Sequence, residues 1–175
     1  MVERVLERRR EAEPQETIYD QMRRIDNERI KRLAEGQVVI KGRDIEWEQS
    51  RQGFIKFYSY DMIFDKLSVA GWRIFVNQIK KHGGKHVHQG GLPLFVLSGK
   101  GYTVVDGVRY DWEEGDLILL PIKPGGCEHQ HFNEDPDTPA EWIAFIFKPH
   151  RDPAGVEFVQ KEEHPDWMMG PKTTR

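Results

Sequence analysis

Short segments rich in β-branched and aromatic residues recur along the chain after Gly36, separated by clusters of Gly, Asp, Ser and Pro. Such segments favour β-strands, and the clusters between them favour tight turns. One of these turns, Asp106-Gly107, is typical of a two-residue hairpin. No helical pattern interrupts the series, so the sequence predicts an all-β protein, an antiparallel sandwich or jelly-roll barrel. We expect strands at 37–40, 54–60, 72–79, 94–98, 102–105, 108–112, 117–121, 128–133 and 141–148.

Residues 17–35 have a different pattern, that of an amphipathic helix. Apolar side chains recur at spacings that place them on one stripe, namely Ile18, Met22, Ile25 and Leu33. Thr17 is a suitable N-cap, and Gly36 is suited to end the helix. An apolar stripe and open sheet edges together predict a homodimer in which this arm crosses to the partner.

Three regions follow from these patterns. We expect an N-terminal helical extension over residues 1–36, a barrel over 37–148, and an irregular C-terminal tail over 149–175 that wraps the barrel or a neighbour.

Composition excludes several classes of function. A net charge of −3 gives no electrostatic basis for binding nucleic acid. No apolar run approaches the roughly 18 residues that a membrane helix needs, and the N-terminus lacks the apolar core of a secretory signal. The one cysteine, Cys127, cannot form an internal disulfide, which fits a reducing compartment. We therefore expect a cytoplasmic protein with neither a nucleic-acid nor a membrane partner.

Four of the seven histidines are arranged as two His-x-His pairs, which points to a metal site. His86 and His88 are two residues apart, so in a strand both side chains leave the same face. His129 and His131 share a face in the same way, and spacing does not decide which of the two is a third ligand. Either choice gives a neutral three-imidazole site for a divalent cation.

The segments that carry these histidines resemble the two motifs of the cupin superfamily. The first runs through Gly84-Lys85-His86-Val87-His88 and continues at residues 95–101; the second contains Gly115-Asp116, Pro121, His129 and Asn133. The resemblance implies a single cupin barrel. It also favours His129 as the third ligand beside His86 and His88, because the family pattern places the ligand four residues before the asparagine.

One departure from the usual cupin pattern bears on chemistry. Many cupins have a glutamate four or five residues after the second histidine as a fourth ligand, and this sequence has Leu92 and Pro93 there. A three-histidine site without a carboxylate resembles the gentisate and salicylate ring-cleaving dioxygenases and small single-cupin dioxygenases. The resemblance implies an Fe(II) dioxygenase that uses molecular oxygen on a small, anionic, hydroxylated aromatic substrate, with His131 and Asn133 orienting substrate or moving a proton.

Two other functions are compatible with the same histidines. One is a Zn, Ni or Mn cupin with lyase, isomerase or decarboxylase activity, in which the metal acts as a Lewis acid. The other is a cupin that binds a small molecule without catalysis.

Other side chains have both a functional and a structural interpretation. Asn133 also suits a turn at the end of a strand. Large aromatic residues can line an aromatic site but are more often core, and here they are Phe75, Phe95, Trp112 and Trp142. A lysine cluster before the ligands, Lys80, Lys81 and Lys85, is better explained as a solvated charge run. We expect His82, His150 and His164 at the surface.

Overall fold

The computed structural model describes residues 16–167, which form two antiparallel β-sheets around a shared interior. The strands are β1 (Glu48–Ser50), β2 (Gly53–Ser59), β3 (Trp72–Ile79), β4 (Lys85–His88), β5 (Leu92–Ser98), β6 (Lys100–Val105), β7 (Val108–Glu113), β8 (Leu117–Leu120), β9 (Cys127–Asn133), β10 (Ala140–Phe147) and β11 (Val159–Glu162). One sheet has the order β1-β2-β3-β10-β5-β8, and the other has the order β11-β4-β9-β6-β7. The predicted all-β fold is thus confirmed.

Most predicted strands agree with the observed ones to within two residues, and β3 has the predicted bounds. The hairpin at Asp106-Gly107 joins β6 to β7, and both residues have the positive φ values, 50° and 84°, that such a turn requires. The strand predicted at 37–40 is wrong. Gln37 makes only an isolated bridge to Leu67, and the side chains of Val38 and Val39 are exposed because no strand pairs with them.

The predicted helix is confirmed as α1 (Ile18–Glu35). Thr17 accepts a hydrogen bond from the backbone of Asp20, and the Asp20 carboxylate accepts one from the Thr17 backbone, which forms a capping box. Gly36 ends the helix in an extended conformation. A Cβ at Gly36 would lie 2.3 Å from the carbonyl carbon of Leu67, so glycine is needed there for close packing.

The apolar face of α1 is largely exposed. None of its residues is buried, and its most exposed apolar side chains are Ile18, Tyr19, Met22, Ile25 and Ile30. The homodimer that would cover this face remains a prediction. Among the described residues, no helix combines the length and the apolarity needed to cross a membrane.

Alternating side chains from the larger sheet fill the interior. In β10 every second residue is buried, and these are Ala140, Trp142, Ala144 and Ile146. Phe75 on β3 packs edge-to-face on Trp142, with ring centroids 5.9 Å apart. The smaller sheet contributes to the same interior a row of polar side chains, described below.

The C-terminal tail returns to the barrel. It passes through α2 (Lys148–Arg151) and a 3₁₀ turn, Asp152–Ala154, and then forms β11, which pairs with β4. We predicted an irregular tail that wraps the barrel, and the strand is an addition to that prediction. The tail therefore lies beside the strand that carries two of the candidate ligands.

Candidate metal centre

Neighbouring strands of the smaller sheet bring the three predicted ligands together. In the β4–β9 register His86 lies directly opposite His129, and His88 lies opposite Cys127. The ring centroid of His86 is 4.2 Å from that of His129 and 5.0 Å from that of His88. One ligating nitrogen from each ring lies within 4.8 Å of the others, and all three rings are buried. Among the described residues, no carboxylate or thiol joins this cluster.

Each of these rings is held by a hydrogen bond from Nδ1 to a backbone carbonyl. The acceptors are the carbonyl oxygens of Gly84 for His86 at 2.9 Å, Gln89 for His88 at 2.7 Å and Cys127 for His129 at 3.0 Å. A carbonyl oxygen only accepts, so Nδ1 carries the proton in all three rings. The Nε2 atoms therefore have free lone pairs, which is the tautomer that metal-binding histidines use.

Burial keeps these imidazoles neutral. It lowers the pKa of His88 to about 3, with the nearby His86 ring adding to the effect. Burial also lowers the pKa of His86, and it lowers that of His129 well below the usual range. Since a metal binds only the neutral ring, the site is ready to bind a cation at neutral pH.

His131 is a fourth buried histidine, but its hydrogen bond differs from those of the other three. Its Nδ1 is 2.7 Å from the hydroxyl oxygen of Thr103, which lies directly opposite on β6. The indole Nε1 of Trp112 donates to the same oxygen at 2.9 Å. Among the described residues, the Thr103 hydroxyl has no other hydrogen-bond acceptor than His131 Nδ1. Nδ1 of His131 is therefore an acceptor, and Nε2 carries the proton.

A pocket lined mainly by apolar side chains of the larger sheet surrounds the histidines. His131 is among its lining residues, and its apolar walls are Phe75, Leu92, Leu94, Trp142 and Ile146. Asn77 and Trp142, which are opposite each other on β3 and β10, also line the pocket. Asn77 Oδ1 and Trp142 Nε1 are buried without a hydrogen-bond partner among the described residues. Such groups cost free energy unless a ligand or a water satisfies them.

A second, wider cavity of about 370 Å³ adjoins the histidine pocket. The two cavities share Gln52, Phe75, His88 and Ile146. Three arginines, Arg51, Arg73 and Arg151, line the outer cavity together with Phe158 from the tail. Arg51 forms an ion pair with Glu163. The Phe158 ring stacks over both His86 and His88, with centroid separations of 5.4 and 5.7 Å.

Asn133 does not line the pocket with the histidines. Its Nδ2 donates to the carbonyls of Lys80, Asp135 and Thr138, and its Oδ1 accepts from the Asp135 backbone. The amide is fully used in holding the loop after β9, and the residue is absent from the pocket lining. These contacts correct the assignment of Asn133 to substrate or proton transfer and favour the strand-end turn.

The other aromatic and basic candidates divide between the site and the rest of the fold. Phe75 and Trp142 line the pocket, whereas Phe95 is exposed. Trp112 is connected to the site through its hydrogen bond to Thr103. Lys85 pairs with Glu128 at 3.2 Å on the outside of the sheet, as a solvated charge run would.

Two further residues, His164 and Cys127, lie away from solvent. His164 was expected at the surface and is buried instead, packed against the ring of Phe54 at 5.7 Å. Cys127 is buried, and burial raises the pKa of its thiol to about 11, so it is not a thiolate nucleophile at neutral pH.

Spacing did not reveal Arg73, Asn77, Arg151 or Phe158 as site residues. They come from β3 and from the tail and meet the histidines only in the folded chain.

Comparison with known proteins supports the fold and finds one short match to an enzyme. Residues 75–146 match the family model described as "Cupin domain". A stretch of 44 residues is 43% identical to a 5-aminosalicylate 1,2-dioxygenase of Comamonas sp., and the match covers 25% of this chain and 11% of that protein.

Solved structures support the fold. An uncharacterised protein from Klebsiella pneumoniae with a double-stranded β-helix domain is similar at a TM-score of 0.51 and 15% identity, over 73% of this chain and 99% of that one. A variant of Streptomyces PAC13 with uridine is similar at a TM-score of 0.51 and 10% identity, over 73% of this chain and 93% of that one. The chain thus contains a segment, residues 75–146, that matches a cupin domain, and its histidines lie on paired strands of a barrel of that fold.

Proposed function

We propose that this protein is an Fe(II)-dependent dioxygenase that acts on a small hydroxylated aromatic compound. The observation that carries the proposal is the set of three neutral imidazoles with their Nε2 lone pairs free and, within residues 16–167, no carboxylate beside them. Imidazole ligands suit iron, zinc, copper and nickel, so this donor set fits a divalent transition metal. The short match to a 5-aminosalicylate 1,2-dioxygenase favours iron and an aromatic substrate.

Each part of the pocket has a role in this function. His86, His88 and His129 would hold the ion, which when bound supplies the redox chemistry of a dioxygenase. Because no acidic side chain in the described part of the chain completes the set, a bound ion would have room for a substrate and for oxygen. The apolar walls exclude bulk water and shield reactive species from it.

His131 has the geometry of a hydrogen-bond donor to the substrate. Its ring is buried next to that of His129, with centroids 5.4 Å apart, and Thr103 directs the proton to Nε2. A fixed N–H in a dry pocket stabilises negative charge on a substrate oxygen, as a preorganised donor does. Burial lowers the pKa of His131 to about 3, so it donates as a neutral imidazole.

The test is metal analysis and oxygen uptake on protein purified without oxygen. The protein is loaded with Fe(II), Zn(II), Ni(II) or Mn(II) and mixed with 5-aminosalicylate, salicylate and a panel of related phenolic acids and hydroxyketones. We expect oxygen consumption only with Fe(II), at one oxygen molecule per substrate. Turnover without oxygen would assign the site to lyase, isomerase or decarboxylase chemistry, and binding without turnover would make the protein a small-molecule-binding cupin.

A further inference from the structure

We propose that the outer cavity is a carboxylate subsite in which Arg151, assisted by Arg73, binds the acid group of an aromatic substrate. The inference rests on the proposed function for the aromatic part of the ligand. It adds a site for the charged part, distinct from the metal ligands.

Arg151 is held in place by one end of its guanidinium group and leaves the other end free. Its Nε donates to the carbonyl oxygen of Gln89 at 3.1 Å, and its side chain is only 13% exposed. The nearest carboxylate, that of Asp152, is 3.7 Å from Nη1, beyond hydrogen-bond distance. Among the described residues, its Nη1 and Nη2 hydrogens have no hydrogen-bond acceptor. A guanidinium group with a free fork is matched to the two oxygens of a carboxylate.

The same carbonyl also accepts the hydrogen bond from Nδ1 of His88 at 2.7 Å. One oxygen atom thus accepts from both a candidate metal ligand and the arginine, which ties their positions together. Gln89 is itself fixed, since its side chain bonds to the backbone of Lys123 and Ala154. An anion on Arg151 would consequently lie at the entrance to the histidine pocket.

A second positive charge strengthens the case for an anion. Arg73 lines the same cavity and is held by Asp61, whose carboxylate accepts from both Nε and Nη2. Burial lowers the pKa of Arg151, and the charge of Arg73 lowers it further. Two partly desolvated cations near each other are a cost to the folded protein, and a bound anion offsets that cost.

The other residues that line the cavity indicate which kind of molecule carries the anionic group. Besides the polar residues Ser50, Arg51, Gln52 and Gln160, the lining includes five apolar side chains, three of them aromatic, namely Ile55, Phe57, Phe75, Ile146 and Phe158. A cavity with apolar walls and cations at one place suits a planar ring with one acid group better than a phosphorylated sugar. The ligand is therefore an aromatic carboxylate whose oxygen substituent points towards the histidines.

Binding of three probes to the Zn(II)-loaded protein tests this assignment without requiring turnover. The probes are salicylate, its neutral analogue salicylamide, and inorganic phosphate, measured by calorimetry. In Arg151→Met we expect salicylate to bind about 10-fold or more weakly, the size expected for a charge-assisted hydrogen-bonded pair, with salicylamide little changed. Arg151→Lys should recover part of the loss. Arg109→Met is the matched control, because Arg109 is an exposed arginine on β7 outside the cavity.

The outcomes separate this inference from the proposed function. Salicylate binding that depends on Arg151, in a protein that consumes no oxygen, would keep the subsite and reject the dioxygenase. Equal losses for salicylate and salicylamide, unchanged salicylate binding in Arg151→Met, or no binding of salicylate to the wild type would overturn the subsite. Phosphate that binds more tightly than salicylate would also overturn it. If Arg151→Met does not fold, the wild type still tests the idea, since salicylate should bind about 10-fold more tightly than salicylamide.

Discussion

Thr103 and His131 are opposite each other on β6 and β9 and share a 2.7 Å hydrogen bond, which sets His131 apart from the three histidines beside it. The three carbonyl-bonded rings present a lone pair to the pocket, whereas His131 presents a proton. The group that contacts Nδ1, a carbonyl oxygen or a hydroxyl, thus determines whether a histidine of this cluster offers a lone pair or a proton to the pocket.

Replacing Thr103 by Val should therefore change catalysis without changing metal content. Without the hydroxyl, His131 is free to place its proton on either nitrogen, and loss of such a supporting contact typically costs about 10- to 100-fold in activity. Thr103→Val should lower kcat by about that factor and alter the pH–rate profile, with the iron stoichiometry retained. Thr103→Ser keeps the hydroxyl and serves as the control. Equal rates for the Val and Ser variants would rule out the role given to His131.

Asn77, which lines the pocket, and Asn133, which holds the loop after β9, should respond in opposite ways to substitution by Leu. Asn77 is buried with Oδ1 unpartnered, so Asn77→Leu should leave the free energy of unfolding unchanged or raise it by about 1 kcal/mol. The same variant should raise KM for the substrate. Asn133 makes four hydrogen bonds, so Asn133→Leu should destabilise by about 2 kcal/mol or more. Chemical denaturation of both variants measures the difference, and a large loss in Asn77→Leu would mean that its amide serves the fold.

Lowering the pH should reduce the free energy of unfolding of the metal-free protein already above the pH range in which carboxylates titrate. His88 and His131 have pKa values of about 3 when folded, against 6.5 for an unperturbed histidine. A pKa lowered by folding gives stability that is fully present above pH 6.5 and is lost as the pH falls towards the folded value. Each such histidine contributes a slope of about 1.4 kcal/mol per pH unit in this range. Denaturation at pH 7.5, 6 and 5 should show the decline.

His131→Asn supplies the matched comparison, because its amide can still bond to Thr103 but does not titrate. Its stability should fall less steeply with acid than that of the wild type. Stability that stays constant from pH 7.5 to 5 would contradict the burial of neutral imidazoles.

Removing one ligand should abolish tight metal binding, because two imidazoles alone do not enclose an ion. His88→Ala should lose iron and zinc stoichiometry and all oxygen uptake. His150→Ala removes an exposed histidine outside the cluster and should bind metal as the wild type does. Elemental analysis after dialysis provides the measurement, and full metal occupancy in His88→Ala would exclude His88 as a ligand.

Local sequence patterns predicted the features of this molecule that are determined by residues close together in the sequence. The helix cap at Thr17, the Asp106-Gly107 hairpin and the shared face of His86 and His88 each need only a few residues to be recognised. Spacing left open whether His129 or His131 is the third ligand, since both face inward. That choice depends on Thr103, which is 28 residues from His131 along the chain and reaches it only through strand pairing.

The outer cavity was beyond prediction for a related reason. Arg73 and Arg151 are 78 positions apart, and arginines in a charged sequence are normally solvated. Their function becomes visible only when β3 and the tail close over the same cavity.

The tail that carries Arg151 and Phe158 lies beyond residues 75–146, the part of the chain that matches the cupin family model. Two proteins can therefore share the barrel and its histidines while differing at the positions of Arg151 and Phe158 in the outer cavity. On this arrangement, exchanging residues 148–162, which include α2 and β11, between relatives should transfer substrate preference and leave metal preference unchanged. Changes there that keep Phe158, whose ring stacks over His86 and His88, would alter substrate preference without removing a contact to a candidate ligand.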